Sequence, residues 1–190
     1  TNKHLEIYIR SLFNIKKFDD CIIYCDKLLF LDKKSMIAMK FLSKSLMSLG
    51  QNIRAAKILE NSLKIGSSNV ETYENLIETY LRMDERERVN QVWERIEINS
   101  KENMSNFLIA LEVSMKFSWS QRSERLLNNK KMKIDGLNFN IEISKIALRN
   151  GNISESWKYL KLSERDQEYT LIQNKINKIL KITCSDVSEI

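Results

Sequence analysis

Few side-chain types carry covalent or metal chemistry, and this chain is poor in most of them. It has one histidine, His4, and three cysteines, Cys21, Cys25 and Cys184. A single imidazole supplies neither a His-based triad nor an H-E-x-x-H zinc site. Cys21 and Cys25 are spaced C-x-x-x-C, which is neither a redox motif nor a zinc knuckle, and two cysteines four apart on one helix are badly placed for a disulfide. Four glycines form no phosphate-cradling loop. Carboxylates are plentiful, but their pattern places them on solvated helix faces. These residues predict a non-enzyme with no cofactor and no metal, so the chemistry left to the chain is recognition.

Composition narrows the kind of recognition. The chain lacks proline altogether, and 43% of its 190 residues are hydrophobic, which together favour an all-helical fold. No apolar run approaches the ~20 residues that cross a bilayer, and the start, TNKHLEIYIR, lacks the pattern of a signal peptide. A first residue other than Met predicts a piece of something longer. The odd cysteine count, with no disulfide framework, suits a reducing, cytoplasmic setting. The net charge of +6 is uneven: residues 1–69 carry +6, residues 70–112 carry −5 and residues 113–182 carry +7. A nucleic-acid track should be continuously positive; this one is broken in the middle, so nucleic acid is not the expected partner.

The elements that position such a surface show themselves as a repeat. Small or modest residues at Cys21, Ala55, Val89, Ser123 and Ser156 recur at spacings of 34, 34, 34 and 33. A larger group follows one helical turn later in each, at Cys25, Leu59, Trp93, Leu127 and Leu160. Upstream of these, Leu5, Met39, Tyr73 and Phe107 share the same period, as do Tyr8, Leu42, Leu76 and Ala110, and then Leu12, Leu46, Tyr80 and Ser114. One turn of helix puts each set on a single face. The expected helices are 3–15, 19–31, 35–48, 52–65, 69–83, 86–98, 102–116, 119–129, 138–149 and 153–164. An amphipathic helix over 167–182, with Tyr169, Ile172, Ile176, Ile179 and Leu180 on one side, would cap the stack, and 183–190 reads as a tail. Gly50 and Gly151 mark helix-to-helix corners. Turns between repeats are read at Asp32-Lys33-Lys34, Gly66-Ser67-Ser68, Asn99-Ser100-Lys101 and Ile134-Asp135-Gly136.

A 34-residue helical hairpin with these positions resembles the tetratricopeptide repeat. Leu42-Ser43, Leu46, Gly50, Ala55, Leu59, Ser62 and Leu63 carry the resemblance best, together with Tyr73, Leu76, Tyr80, Val89 and Trp93. The repeats fall at about 2–34, 35–68, 69–102, 103–136 and 137–166. Ile9, Ile77 and Leu111 stand where the family packs a small residue, and no proline closes a repeat. Thr72-Tyr73-Glu74-Asn75-Leu76-Ile77 also resembles a pentatricopeptide repeat, whose relatives bind RNA, but only this stretch fits.

The resemblance implies an all-α, right-handed α-solenoid of about five hairpins whose first helices line a concave binding face. The residues it would expose there are Arg10 and Phe13, then Lys40, Phe41, Lys44 and Met47, then Asn75, Glu78 and Leu81, then Ile109, Glu112 and Met115, and finally Ile141 and Lys145. Lys40 and Asn75 match the pattern by which some family members clamp a carboxylate. Lys44 stands where that clamp has Asn, and Ser105 and Ile109 replace its basic pair. The resemblance thus implies a scaffold for a protein or peptide segment, within a larger assembly or a multidomain chain. Apolar side chains alternating with charge suit an amphipathic segment. Self-association is the alternative, through Ile7, Ile9 and Phe13 of the first repeat.

Overall fold

The structure, a computed structural model, describes residues 2–66, 69–128, 139–163 and 167–185, with the side chains of residues 139 and 181–185 outside that description. Among the described residues there are eleven α-helices and no strand. They are α1 (Asn2–Asn14), α2 (Phe18–Leu31), α3 (Met36–Ser48), α4 (Asn52–Lys64), α5 (Val70–Arg82) and α6 (Arg86–Asn99). They continue as α7 (Met104–Lys116), α8 (Ser120–Asn128), α9 (Phe139–Arg149), α10 (Ile153–Leu160) and α11 (Gln167–Ser185). The expected helices match these within a few residues at each end. The last runs to Ser185, three residues beyond the expected 182. The turn expected at Ile134-Asp135-Gly136, Ser67-Ser68 of another, and residues 186–190 of the tail lie outside the described residues.

The repeat is visible in the backbone itself. Each hairpin corner holds one residue with positive φ: Lys16 (60°), Gly50 (71°), Asp84 (55°), Ser118 (54°) and Gly151 (77°). Their spacings are 34, 34, 34 and 33. At each, the next residue's N–H donates to a carbonyl five back: Lys17 to Leu12 (2.9 Å), Gln51 to Leu46 (2.8 Å), Glu85 to Tyr80 (3.0 Å), Trp119 to Ser114 (2.8 Å) and Asn152 to Ala147 (2.9 Å). This is a Schellman closure, which satisfies a helix-end carbonyl and reverses the chain. First helices begin on side-chain caps at the same period. Ser35 Oγ accepts from the Ala38 N–H at 3.4 Å, Asn69 Oδ1 from Thr72 at 2.8 Å and Asn103 Oδ1 from Asn106 at 2.8 Å. Each satisfies an orphan donor of the first turn.

The chain divides into two compact units, Thr1–Ile96 and Glu97–Ile190. In the first, α2 packs on α1 and α3, α4 on α3 and α5, and the first helices α1, α3 and α5 lie side by side. Its core holds Ile9, Cys21, Cys25, Leu42, Leu46, Ala55, Leu59, Leu76, Ile77, Tyr80 and Trp93. In the second, α8 packs on α7, α9 on α7, and α10 on α9; α11 covers α9 and α10 through Ile141, Leu160, Tyr169, Ile172 and Ile176. Leu180, expected on that buried side, is 44% exposed.

The small-residue positions are where helices touch. Cys21 Sγ lies 3.7 Å from the Ile9 carbonyl, Ser123 Oγ donates to Ser114 Oγ at 2.8 Å, and Ser156 Oγ donates to the Ser144 carbonyl at 2.9 Å. Ile9, Ile77 and Leu111, larger than the family pattern asks, are nevertheless fully buried. Burial, reinforced by the neighbouring Cys21, pushes the Cys25 thiol well above its ordinary range, so it is an inert core group.

Candidate functional site

The side chains expected on first-helix surfaces divide into three groups. Met47, Met115 and Ile141, expected to be exposed, are buried instead. First helices lie side by side, so a residue on the flank of one is covered by its neighbour, and Ile141 is covered by α11. Phe13 and Phe41 are half-buried for the same reason, meeting edge to face with centroids 5.3 Å apart. Phe13 also meets Phe18 at 5.6 Å. Arg10 and Leu81 are exposed.

A second group is charged and already paired. Glu78 accepts from Arg82 Nη2 at 2.5 Å on the same helix. In the second unit, Lys145 Nζ sits between Glu142 (2.8 Å) and Glu168 (2.9 Å), and Glu112 accepts from Arg149 at 3.1 Å. Burial would lower the Lys145 pKa, but hydrogen bonds to the two carboxylates outweigh it and raise it. Ile109 is half-buried beside them in sequence, on α7.

The third group forms a site. Lys40 and Asn75 line a cleft of about 320 Å³ between α3 and α5, and Lys44 joins them through Glu71, which lines it too. Met36, Ile37 and Met39 of α3 and Leu59 of α4 give it apolar lining; Ser43, Ser62, Asn69 and Thr72 add hydroxyl and amide groups. Lys40 and Lys44 lie one turn apart on α3, and both reach across to one carboxylate, that of Glu71 in the first turn of α5. Lys40 Nζ is 2.6 Å from Glu71 Oε2, and Lys44 contacts Oε1. Burial pushes the Glu71 carboxyl upward, but hydrogen bonds from Lys40 and Lys44 and their charges prevail, holding it below its ordinary value. Its place near the helix N-terminus also favours a negative charge. Two cations share one anion, so these three groups keep a net charge of +1. The Asn75 amide is half-buried in the cleft wall and makes no side-chain hydrogen bond among the described residues.

Glu71 escaped the sequence reading because it opens its helix, one turn before the positions read as concave. Register offered a signal. Glu71 stands 31 residues after Lys40, three short of the repeat, and so belongs to the turn of α5 that adjoins Lys40. Among the described residues no group of three or more His, Cys, Asp or Glu could hold a metal ion, and no helix is long and apolar enough to cross a membrane.

No protein-family model matches the sequence, and no curated protein matches it. Solved structures do resemble it. YrrB, described as a tetratricopeptide repeat protein with an unusual peptide-binding site, shares 12% identity over 93% of this chain and 90% of its own, with a TM-score of 0.47. A tetratricopeptide repeat protein from Parabacteroides merdae shares 14% over 95% and 72%, with a TM-score of 0.48. A thermophilic one from Thermus thermophilus shares 14% over 95% and 99%, with a TM-score of 0.47. In fold, this all-helical chain of hairpins is similar to tetratricopeptide repeat proteins.

Proposed function

We propose that this chain is a protein-interaction scaffold, a domain or subunit of a larger assembly, that takes an acidic, partly apolar partner segment in the cleft between α3 and α5. The observation that carries the reading is the convergence of Lys40 and Lys44 on Glu71, beside the Asn75 amide, over an apolar floor. An incoming carboxylate exchanges with Glu71 on the two ammonium groups, and the Asn75 amide can donate to the segment's backbone or side chain. An apolar side chain of the segment enters against Met39 and Leu59. Charge fixes the orientation, and apolar burial supplies most of the affinity.

The test is binding of dye-labelled acidic peptides bearing one bulky apolar residue, measured by fluorescence anisotropy. Reversing both cations, Lys40→Glu with Lys44→Glu, should weaken binding at least about tenfold. Helicity should be unchanged, since both side chains are partly exposed. Unchanged affinity in the double variant would overturn the assignment of the cleft.

A further inference from the structure

Two turns along α5 from Glu71, a second carboxylate stands on the same stripe of the helix. Glu71 and Glu78 are seven residues apart, so they lie about 10.5 Å apart along the axis and only about 20° apart around it. Asn75 falls between them, about 40° to one side of Glu71, and Glu74 lies about 60° to the other. Glu71 holds a cation on each of its oxygens, Lys40 on Oε2 and Lys44 on Oε1. Glu78 holds one. Arg82 Nη2 donates to its Oε1 at 2.5 Å, and Oε2 has no partner among the described residues. Arg82 is also tied to α3, its Nη1 donating to the Met47 carbonyl at 3.1 Å. The Glu78 side chain is 45% exposed, so a second cation can reach it as the second lysine reaches Glu71.

Formal charge changes sign along the same line. Lys40, Lys44 and Glu71 together keep +1, whereas Glu74, Glu78 and Arg82, on the turns that follow, together keep −1. A partner with one sign of charge complements half of this surface and is repelled by the other half; a partner with both signs at the right spacing complements all of it. The spacing depends on the partner's conformation. One turn of helix, about 10 Å across and 5.4 Å long, fills more than about 400 Å³, so it does not enter a cleft of about 320 Å³. A helix also has no spare backbone amide or carbonyl to offer Asn75. The segment that enters is therefore extended. In a polyproline-II chain, side chains three residues apart return to one side at about 9.3 Å, close to the separation of Glu71 and Glu78. In a flat β-strand the same two side chains would point to opposite faces.

We propose that the cleft takes a dipolar segment, one whose acidic residue is separated by three from a basic residue that pairs with Glu78. This rests on the cleft between α3 and α5 being the site for an acidic segment. The acid replaces Glu71 on Lys40 and Lys44, the base pairs with Glu78 Oε2 while Arg82 keeps Oε1, and the apolar residue between them enters against Met39 and Leu59. The Asn75 amide faces the backbone that joins the two charges.

Fluorescence anisotropy with a set of dye-labelled peptides tests this on the full chain. One has Glu and Lys three apart around a Leu, made in both chain directions; a second has Glu and Lys adjacent; a third is the first with Gln in place of Lys. The first, in the better of its directions, should bind about three- to fivefold tighter than the other two at low salt, and the advantage should fade at ~0.5 M salt. Glu78→Lys should reverse the order, so that a peptide with Glu in place of that Lys becomes the tightest. Its fold is checked by far-ultraviolet circular dichroism. If the peptides bind through Lys40 and Lys44 but spacing three brings no advantage, or Glu78→Lys leaves the order unchanged, the dipolar partner is overturned and the acidic-segment assignment stands. A preference for Glu and Lys seven apart, in a peptide that turns helical on binding, also overturns it. Absence of binding by every acidic peptide at ~300 µM overturns both.

Discussion

Replacing Glu71 by Gln keeps the size of the side chain and removes the one carboxylate on which Lys40 and Lys44 converge. The side chains involved are 47% (Lys40), 30% (Lys44) and 38% (Glu71) exposed, so water screens both pairs and each contributes only about 0.2–1 kcal/mol. Taking ~1 kcal/mol for the cluster, an acidic segment that must displace Glu71 gains that amount in the variant, roughly a fivefold rise in affinity at 25 °C. The assay is anisotropy with an acidic peptide, and the control is Glu87→Gln. Glu87 is exposed in the first turn of α6 and does not line the cleft, so its substitution makes the same change in net charge elsewhere. Glu71→Gln should tighten binding about fivefold and the control by less than about twofold. Weaker binding in Glu71→Gln would refute the reasoning, because the carboxylate would then be a contact for a cation on the partner. The same cluster fixes a pH dependence. The folded pKa of Glu71 lies below its ordinary 4.5, so the stabilisation it brings is complete above that value and is lost as pH falls through the depressed folded one. The stability gap between the parent and Glu71→Gln should therefore be present at neutral pH and should close in acid, as read from urea midpoints. A gap that does not change with pH would refute the linkage.

Three further expectations concern the repeat itself. A Cβ added to Gly50 meets nothing within 4 Å, yet its φ is +71°, so Gly50→Ala isolates the backbone cost and should lower stability by about 1–2 kcal/mol in urea denaturation. Lys16→Gly, at the equivalent corner, should raise stability, by about 0.5 kcal/mol once the extra freedom of the unfolded chain is subtracted. Asn69→Ala removes the cap on Thr72 and should cost about 1 kcal/mol, with faster amide exchange confined to the first turn of α5.

Most of the fold was legible because packing is periodic. Cys21, Ala55, Val89, Ser123 and Ser156 must be modest in size so that a partner helix can approach, and that constraint recurs at every hairpin. The first-helix surfaces were harder to read, because exposure depends on the neighbouring hairpin rather than on the helix alone. Met47 and Met115 have the pattern of exposed residues on their own helices and become buried only when adjacent helices close over them. Charge was legible by sign but not by partner. Lys40 and Lys44 stood out, whereas Glu71, which neutralises one of them, lies on another hairpin and carries no mark in its local sequence.

The corners show which constraint dominates when the two conflict. Five corners share one backbone geometry, but only two of them have glycine; Lys16, Asp84 and Ser118 hold positive φ with a Cβ in place. Such a conformation costs roughly 1–2 kcal/mol for an ordinary residue, and local preference alone would let those three corners relax. They keep their geometry because the second helix must return with its small residue against the first: Cys21 at Ile9, and Ser123 at Ser114. Tertiary packing thus imposes the turn where the sequence does not supply it. Glycine at a corner is an aid to stability, and the small residue is the requirement. Enlarging Ser123 to Leu should accordingly be far more damaging than restoring or removing any corner glycine. It should cost about 3 kcal/mol or more, since it overpacks a buried helix contact and also removes the hydroxyl that donates to Ser114 Oγ.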